Sequence, residues 1–371
     1  MKVTIFRDYP EQGWESMEVY ADNLVKNLTN LRKNKLAIKQ FVGLKNWSKY
    51  FSREKKTIRY FFRYVVNPPL SFFQQGQVNH IIDQSNAHLL CFLDPKKTVV
   101  TCHDLIVPFW LSKHRVKTNF KKKIKDKGGE WRMNQLKKAA KIITVSQATK
   151  NELIGQLAID PNNIVVVPEG KEDFFKKIDD KKILNKFIHK HQLPDKYLLH
   201  VGSNEDYKNI EQVLGVFSAL SRQYKDLYLV KVGQFWHPNH LRLIKKLKIK
   251  DRIRFLGYLP REELPLIYNL AKGLMQLSYT EGFGLTVVEA MACGCPVIVS
   301  DIPALKEIAS RSGIYVDINH KSTIAEPIIQ LIHSKSMYYK YSRLGIQRAR
   351  FFTWEKTAKK TYQVYQSVLT K

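Results

Sequence analysis

Two glutamates eight residues apart, Glu281 and Glu289, flank a glycine-bearing turn in the stretch SYTEGFGLTVVEAMACGCPVIVS. Glu281-Gly282-Phe283-Gly284 reads as the turn and Leu285–Ala292 as the helix that follows. Glycines at a helix N-terminus let the backbone approach a ligand closely, and the amides and the positive dipole end there favour a phosphate. The backbone from Gly282 through Phe283 and Gly284 to Leu285 is therefore a candidate anion cradle. A carboxylate beside a diphosphate is repelled unless it binds something else. Helical side chains lean toward the N-terminus, so Glu289 points back at the cradle, where it can accept both hydroxyls of a ribose. Glu281 precedes the helix and faces the other side of the phosphates, where a sugar would lie. The spacing fits a nucleotide diphosphate sugar. The plainer reading makes Glu281 a helix cap and Glu289 a surface residue, and two glutamates at this spacing carry little weight alone.

Other residues at strand ends support the same chemistry. In GSNEDYKN, Gly202, Ser203 and Lys208 follow a strand, and Lys208 precedes a helix. A lysine there can neutralise a phosphate that gains charge as the sugar departs, and preplaced charge of this kind is usually the largest catalytic contribution. Its alternative is a solvated lysine in a chain with 62 basic residues. His103 ends the strand Thr98–Cys102, with Asp104 next to it as a residue that could simply pin the ring. His80 also ends a strand and reads as structural or acceptor-side. Gly257 and Tyr258 follow another strand and could line a base pocket. Gly13, alone in the loop YPEQGW, is a weak anion-loop signal, and Ser146 reads as the cap of SQATKNEL. No Asp-x-Asp triplet occurs, so neither a metal nor another cofactor is expected beside the donor substrate.

These residues need strand ends to hold them. Short apolar strands alternate with amphipathic helices throughout, the pattern of parallel α/β architecture. Strand candidates are Lys2–Phe6, Leu36–Val42, Val78–Ile82, Thr98–Cys102, Ile142–Val145 and Ile164–Val167, then Tyr197–Val201, Leu227–Val232, Arg252–Leu256, Gly273–Leu277, Pro296–Val299 and Gly313–Val316. Pro168, Gly170 and a charged run interrupt the alternation. The expectation is two doubly wound parallel-sheet domains facing a cleft: residues 1–170 on the acceptor side, joined by a final helix at about 352–371, and residues 171–351 for the nucleotide sugar.

The string around Glu281 and Glu289 resembles the signature of the retaining glycosyltransferases of family four, whose GT-B fold has two facing Rossmann-like domains. VTCHDLIVP, KKAAKIITVSQATKNEL, IVVVPEG, LLHVGSNEDYKNIEQVL and the closing FTWEKTAKKTYQVYQSVL are similar to family segments in family order. The resemblance implies that Glu281 contacts the transferred sugar, Glu289 the ribose, Lys208 the phosphate, and His103 the sugar hydroxyls near the reacting carbon. It implies metal-independent, retaining transfer of a hexose from GDP-mannose or a UDP-sugar to a glycan or lipid-linked acceptor. One departure stands out. Before the lysine the family commonly has arginine, and here Tyr207 takes that place. A nucleotide-sugar epimerase on the same fold and a polyanion-binding protein with a decayed site are the competing classes.

Bulk properties bound these readings. The 371 residues suit two domains. Residues 1–150 hold 29 basic and 11 acidic side chains against 21 and 17 in residues 151–300, so the net charge of +29 is concentrated early. Lys113–Lys127 carries Val116, Phe120 and Ile124 among lysines, and 45–73 interleaves basic residues with Trp47, Tyr50, Phe51, Tyr60, Phe61, Phe62 and Tyr64. Such faces suit an anionic leaflet. No nucleic-acid module is visible, so nucleic acid is not an expected partner. The four cysteines read as reduced thiols, and the absence of any spanning or signal segment suggests a cytoplasmic protein, peripheral on the inner membrane face.

Overall fold

The computed structural model describes residues 1–7, 15–31, 36–43, 60–105, 120–320 and 323–370. Gly13, Trp47, Tyr50, Phe51 and Val116, and the side chains of Phe120 and Ile124, lie outside what it describes. The chain forms two compact units, Met1–Gly170 with Thr353–Lys371, and Lys171–Phe352.

The first unit contains β1 (Lys2–Phe6), β2 (Ala37–Phe41), β3 (Val78–Ile81), β4 (Thr98–Cys102), β5 (Lys141–Thr144) and β6 (Ile164–Val166), in the order β2-β1-β3-β4-β5-β6. The second contains β7 (Tyr197–Gly202), β8 (Tyr228–Gly233), β9 (Ile253–Gly257), β10 (Gly273–Gln276), β11 (Val297–Ser300) and β12 (Gly313–Val316), in the order β12-β11-β10-β7-β8-β9. Every strand pair is parallel. Helices cover both faces of a parallel sheet, so its strands must read as apolar runs. That is why the twelve sequence-derived strands coincide with the observed ones to within one or two residues.

The last helix, Trp354–Leu369, belongs to the first unit. Trp354, Ala358, Val364, Tyr365 and Val368 pack with Val3, Ile5, Tyr20 and Leu24 in one buried cluster. In the second unit Val213, Leu214 and Phe217 of the helix Ile210–Gln223 close the sheet with Leu198, Met275 and Ile298.

Candidate functional site

The second sheet places a switch point between β7 and β10. The chain runs outward from β7 through β8 to β9, then returns to add β10 on the other flank. Loops leaving two adjacent strands in opposite senses open a crevice at their carboxyl ends, where open α/β sheets bind ligands. Those two loops carry Lys208 and Glu281. After Gly202 the first loop makes a short turn, Asp206–Lys208, and Asn209 adopts a left-handed conformation (φ +54°). Asn209 Nδ2 donates to Leu277 O at 3.0 Å and the Tyr279 amide to Tyr207 O at 2.8 Å, which fastens the loops together.

Lys208 Nζ donates to both carboxylate oxygens of Glu281, at 2.8 and 3.1 Å. Ser278 Oγ at 2.7 Å and Gln276 Nε2 also donate to Oε1. Glu281 is therefore no helix cap: that position is Gly284, at φ +99°, with no side-chain cap bond. The φ of +99° demands glycine there, and a Cβ would also come 2.9 Å from the Leu305 side chain. A buried ion pair contributes little net stability because desolvation offsets attraction. Here it keeps a carboxylate and an ammonium fixed in the loops that lead to the helix Leu285–Ala292, whose first two amides precede its first intrahelical bonds.

Glu289 is buried, not on the surface. Its Oε1 accepts from Arg261 Nη2 at 2.7 Å and its Oε2 from the Tyr268 hydroxyl at 3.0 Å. Arg261 also grips Glu172 with Nε (2.7 Å) and Nη2 (2.9 Å). Two carboxylates thus share one guanidinium. Burial pushes the Glu289 carboxyl up to about 7; Arg261 opposes the shift and Glu172 adds to it. Arg261, though itself partly desolvated, is held above its ordinary value by Glu289 and then Glu172. Neither Arg261, Glu172 nor Tyr268 was singled out from sequence. Nothing in the spacing points to them, because the arginine is 28 residues from Glu289 and 89 from Glu172.

The remaining donor-side residues divide. Gly202 lies at φ +137° at the end of β7, with Ser203 next to it and half-buried. Phe283 is buried, packed edge-on to Phe352, while Leu285 is half-buried. Tyr258 follows Gly257 at the end of β9 and is 66% exposed. The Tyr207 ring lies 5.0 Å from Lys208 Nζ, so it meets the lysine through its face.

In the first unit, His103 ends β4 as expected, but its partner is not the Asp104 carboxylate. Nδ1 meets Glu169 Oε1 at 2.8 Å and Nε2 meets Ile82 O at 2.9 Å, with Tyr20 edge-on at 4.7 Å. Burial would lower the imidazolium, but Glu169, with Asp83 and the Ile82 carbonyl, raises it to about 9. A carbonyl can only accept, so Nε2 carries a proton, and in the imidazolium Nδ1 donates to Glu169 as well. His80 bonds the Tyr365 hydroxyl (2.7 Å) and Thr101 Oγ1 (2.8 Å), and burial holds it down to about 3. It is the structural reading that fits: a neutral ring tying the final helix to the sheet. Ser146 Oγ accepts from the Thr149 amide as a helix cap. Among the described residues, no group of three or more His, Cys, Asp or Glu is placed to hold a metal ion. No helix there is long and apolar enough to cross a membrane.

Two six-stranded parallel sheets, the second with Lys208 and Glu281 at its switch point, match the GT-B fold. A crystal structure of WaaG, a glycosyltransferase involved in lipopolysaccharide biosynthesis, superposes with a TM-score of 0.72 at 12% identity, over 98% of this chain and 99% of that one. One of Anabaena Alr3699/HepE in complex with UDP and glucose gives 0.74 at 14% identity, over 99% and 100%. Residues 181–348 match the family described as Glycosyl transferases group 1, and residues 72–171 match Glycosyltransferase Family 4. Both matched segments are thus glycosyltransferase segments. The chain is similar to O-antigen chain mannosyltransferase B of Escherichia coli, 29% identical over 235 residues, which is 62% of this chain and 61% of that protein's length.

Proposed function

We propose that the protein transfers a hexose, with retention and without a metal ion, from a nucleotide diphosphate sugar to a glycan or lipid-linked acceptor in polysaccharide synthesis. The observation that carries the reading is the Lys208–Glu281 pair at the β7/β10 switch point, beside the Gly284 helix start. Lys208 and the turn amides stabilise the departing diphosphate, and Glu281 orients the sugar through Oε2, whose one hydrogen bond among the described residues is the longer contact to Lys208. Glu289, held by Arg261 and Tyr268, receives the ribose, and Gly202, Ser203 and Tyr258 complete the donor contacts. His103, in the unit spanning residues 1–170 and 353–371, acts on the acceptor side. Its protonated ring is fixed by Glu169, so it contributes charge and shape more readily than a free nitrogen. The donor is GDP-mannose or a UDP-sugar, in keeping with a mannosyltransferase among its relatives and a UDP-bound structural neighbour. A panel of GDP-, UDP- and ADP-sugars scored for thermal stabilisation and slow hydrolysis tests this. One responder names the donor, and silence from all of them overturns the reading.

The same unit supports reversible attachment to the inner membrane face. Phe61, Phe72, Phe73 and Trp131 are exposed there, and Lys137 and Lys138 are exposed nearby in sequence. Aromatic rings with basic neighbours suit the headgroup region of an anionic bilayer. The protein is expected to sediment with anionic vesicles at low salt and to lose that on Phe72→Ser with Phe73→Ser. Failure of the unmodified protein to sediment refutes the attachment.

A further inference from the structure

A parallel strand covered on both faces should be apolar, yet β8 carries Lys231 with no exposed surface. Its Nζ donates to Gly202 O at 2.6 Å and Val232 O at 3.2 Å, and stands 5.8 Å from the Trp236 ring centroid. Among the described residues it has no carboxylate partner. The groups around it are basic. His200 is its register partner on β7, His240 faces it from the helix Pro238–Leu247, and Lys208 lies beyond the Gly202 turn. Acids in this part of the unit act on its neighbours: Glu281 holds Lys208, while Glu211 and Asp206 act on His240. His200 is fully buried, and its Nε2 has no hydrogen-bond partner. The turn above is tight: a Cβ on Gly233 would come 2.5 Å from Gly202 O. The Lys231 head group therefore sits under the turn that leads to Lys208.

A buried ammonium that has only carbonyls for partners and feels the charge of Lys208 is a costly arrangement that an anion would relieve. Resting on the donor-site reading above, we infer that Lys231 is a second cation of the diphosphate site, acting from beneath the Gly202 turn on a diphosphate held by Lys208 and the amides at the start of Leu285–Ala292. Burial, with Lys208 adding to it, holds the free ammonium down to about 7, so near pH 7 it is half neutral. A bound diphosphate favours the charged form, so binding takes up a proton, up to about half of one at that pH. By linkage, diphosphate affinity weakens as pH rises above about 7.

The test is calorimetric titration of GDP, UDP and ADP near pH 7, in two buffers of different ionisation enthalpy. The unmodified protein should take up about half a proton more than Lys231→Gln with the diphosphate that binds, any change at Glu289 being common to both. Lys231→Gln can still donate to Gly202 O but carries no charge, and Lys231→Met can do neither. Both should bind the diphosphate about tenfold more weakly. The parent nucleoside should bind all three proteins alike. Equal proton uptake in the unmodified protein and Lys231→Gln overturns the inference, as does full rescue of diphosphate affinity by glutamine, or equal loss of the nucleoside. Diphosphate binding that ignores Lys231 sinks this inference alone. Absence of any diphosphate binding sinks the donor-site reading with it.

Discussion

The two sheets offer strand ends of the same kind, yet their charged groups are held in different ways. In the second unit Lys208 and Glu281 come from loops on adjacent strands and neutralise each other beside a helix start, and Arg261 remains partly exposed while gripping two carboxylates. In the first unit His103 and His80 have both ring nitrogens occupied by protein groups. One end is a set of paired charges that a ligand of matching charge can repartition. The other is a closed hydrogen-bond network that fixes ring positions. Equivalent positions in similar folds therefore do not carry equivalent availability.

Substitutions on the two sides should separate sharply. The largest effect is expected for Glu281→Gln and Lys208→Met, each lowering turnover of the responding nucleotide sugar by about a hundredfold or more while the fold persists. Steady-state kinetics with circular dichroism checks both. Next comes the His103–Glu169 pair. Its imidazolium is raised from the ordinary value to about 9, so its contribution to stability is complete below the unfolded value and is lost as pH rises through about 9. The shift corresponds to on the order of 3 kcal/mol. Denaturant unfolding at pH 6 and above pH 9 should show that slope, and Glu169→Gln should flatten it.

Arg261→Met should cost about 2 kcal/mol or more, since it leaves Glu172 and Glu289 facing each other without a cation, and should also weaken donor binding. Melting temperature and donor KM report the two consequences separately. The smallest effect concerns Glu289. Its carboxyl is raised to about 7, so the protonated form is favoured in the folded state and stability declines as pH rises from the ordinary carboxylate range through about 7. Glu289→Gln should reduce that decline; an unchanged pH profile would place its titration elsewhere.

Much of the fold was legible because doubly covered strands must be apolar, and polar loops mark their ends. The helix Leu285–Ala292 and its glycine turn were legible because local spacing and φ requirements are written in consecutive residues. Partnerships were not. Lys208 and Glu281 were recognised separately, but their 73-residue separation hid the bond between them. Glu169 lies 66 residues from His103, and adjacency favoured Asp104 instead. In a chain with 62 basic residues, no single arginine announces itself as the partner of Glu289. Lys231 was a different case. A lysine inside the apolar run LYLVKVG is a local anomaly, and its meaning emerged only once β8 was seen to be covered on both faces.

The most direct test of the central claim is hydrolysis of the responding nucleotide sugar by the unmodified protein, Lys208→Met and Glu281→Gln, with binding of the nucleoside diphosphate measured alongside. The Lys208–Glu281 site predicts that Glu281→Gln still binds the diphosphate but loses hydrolysis about a hundredfold, and that Lys208→Met loses both. Hydrolysis at the unmodified rate in both variants would contradict it.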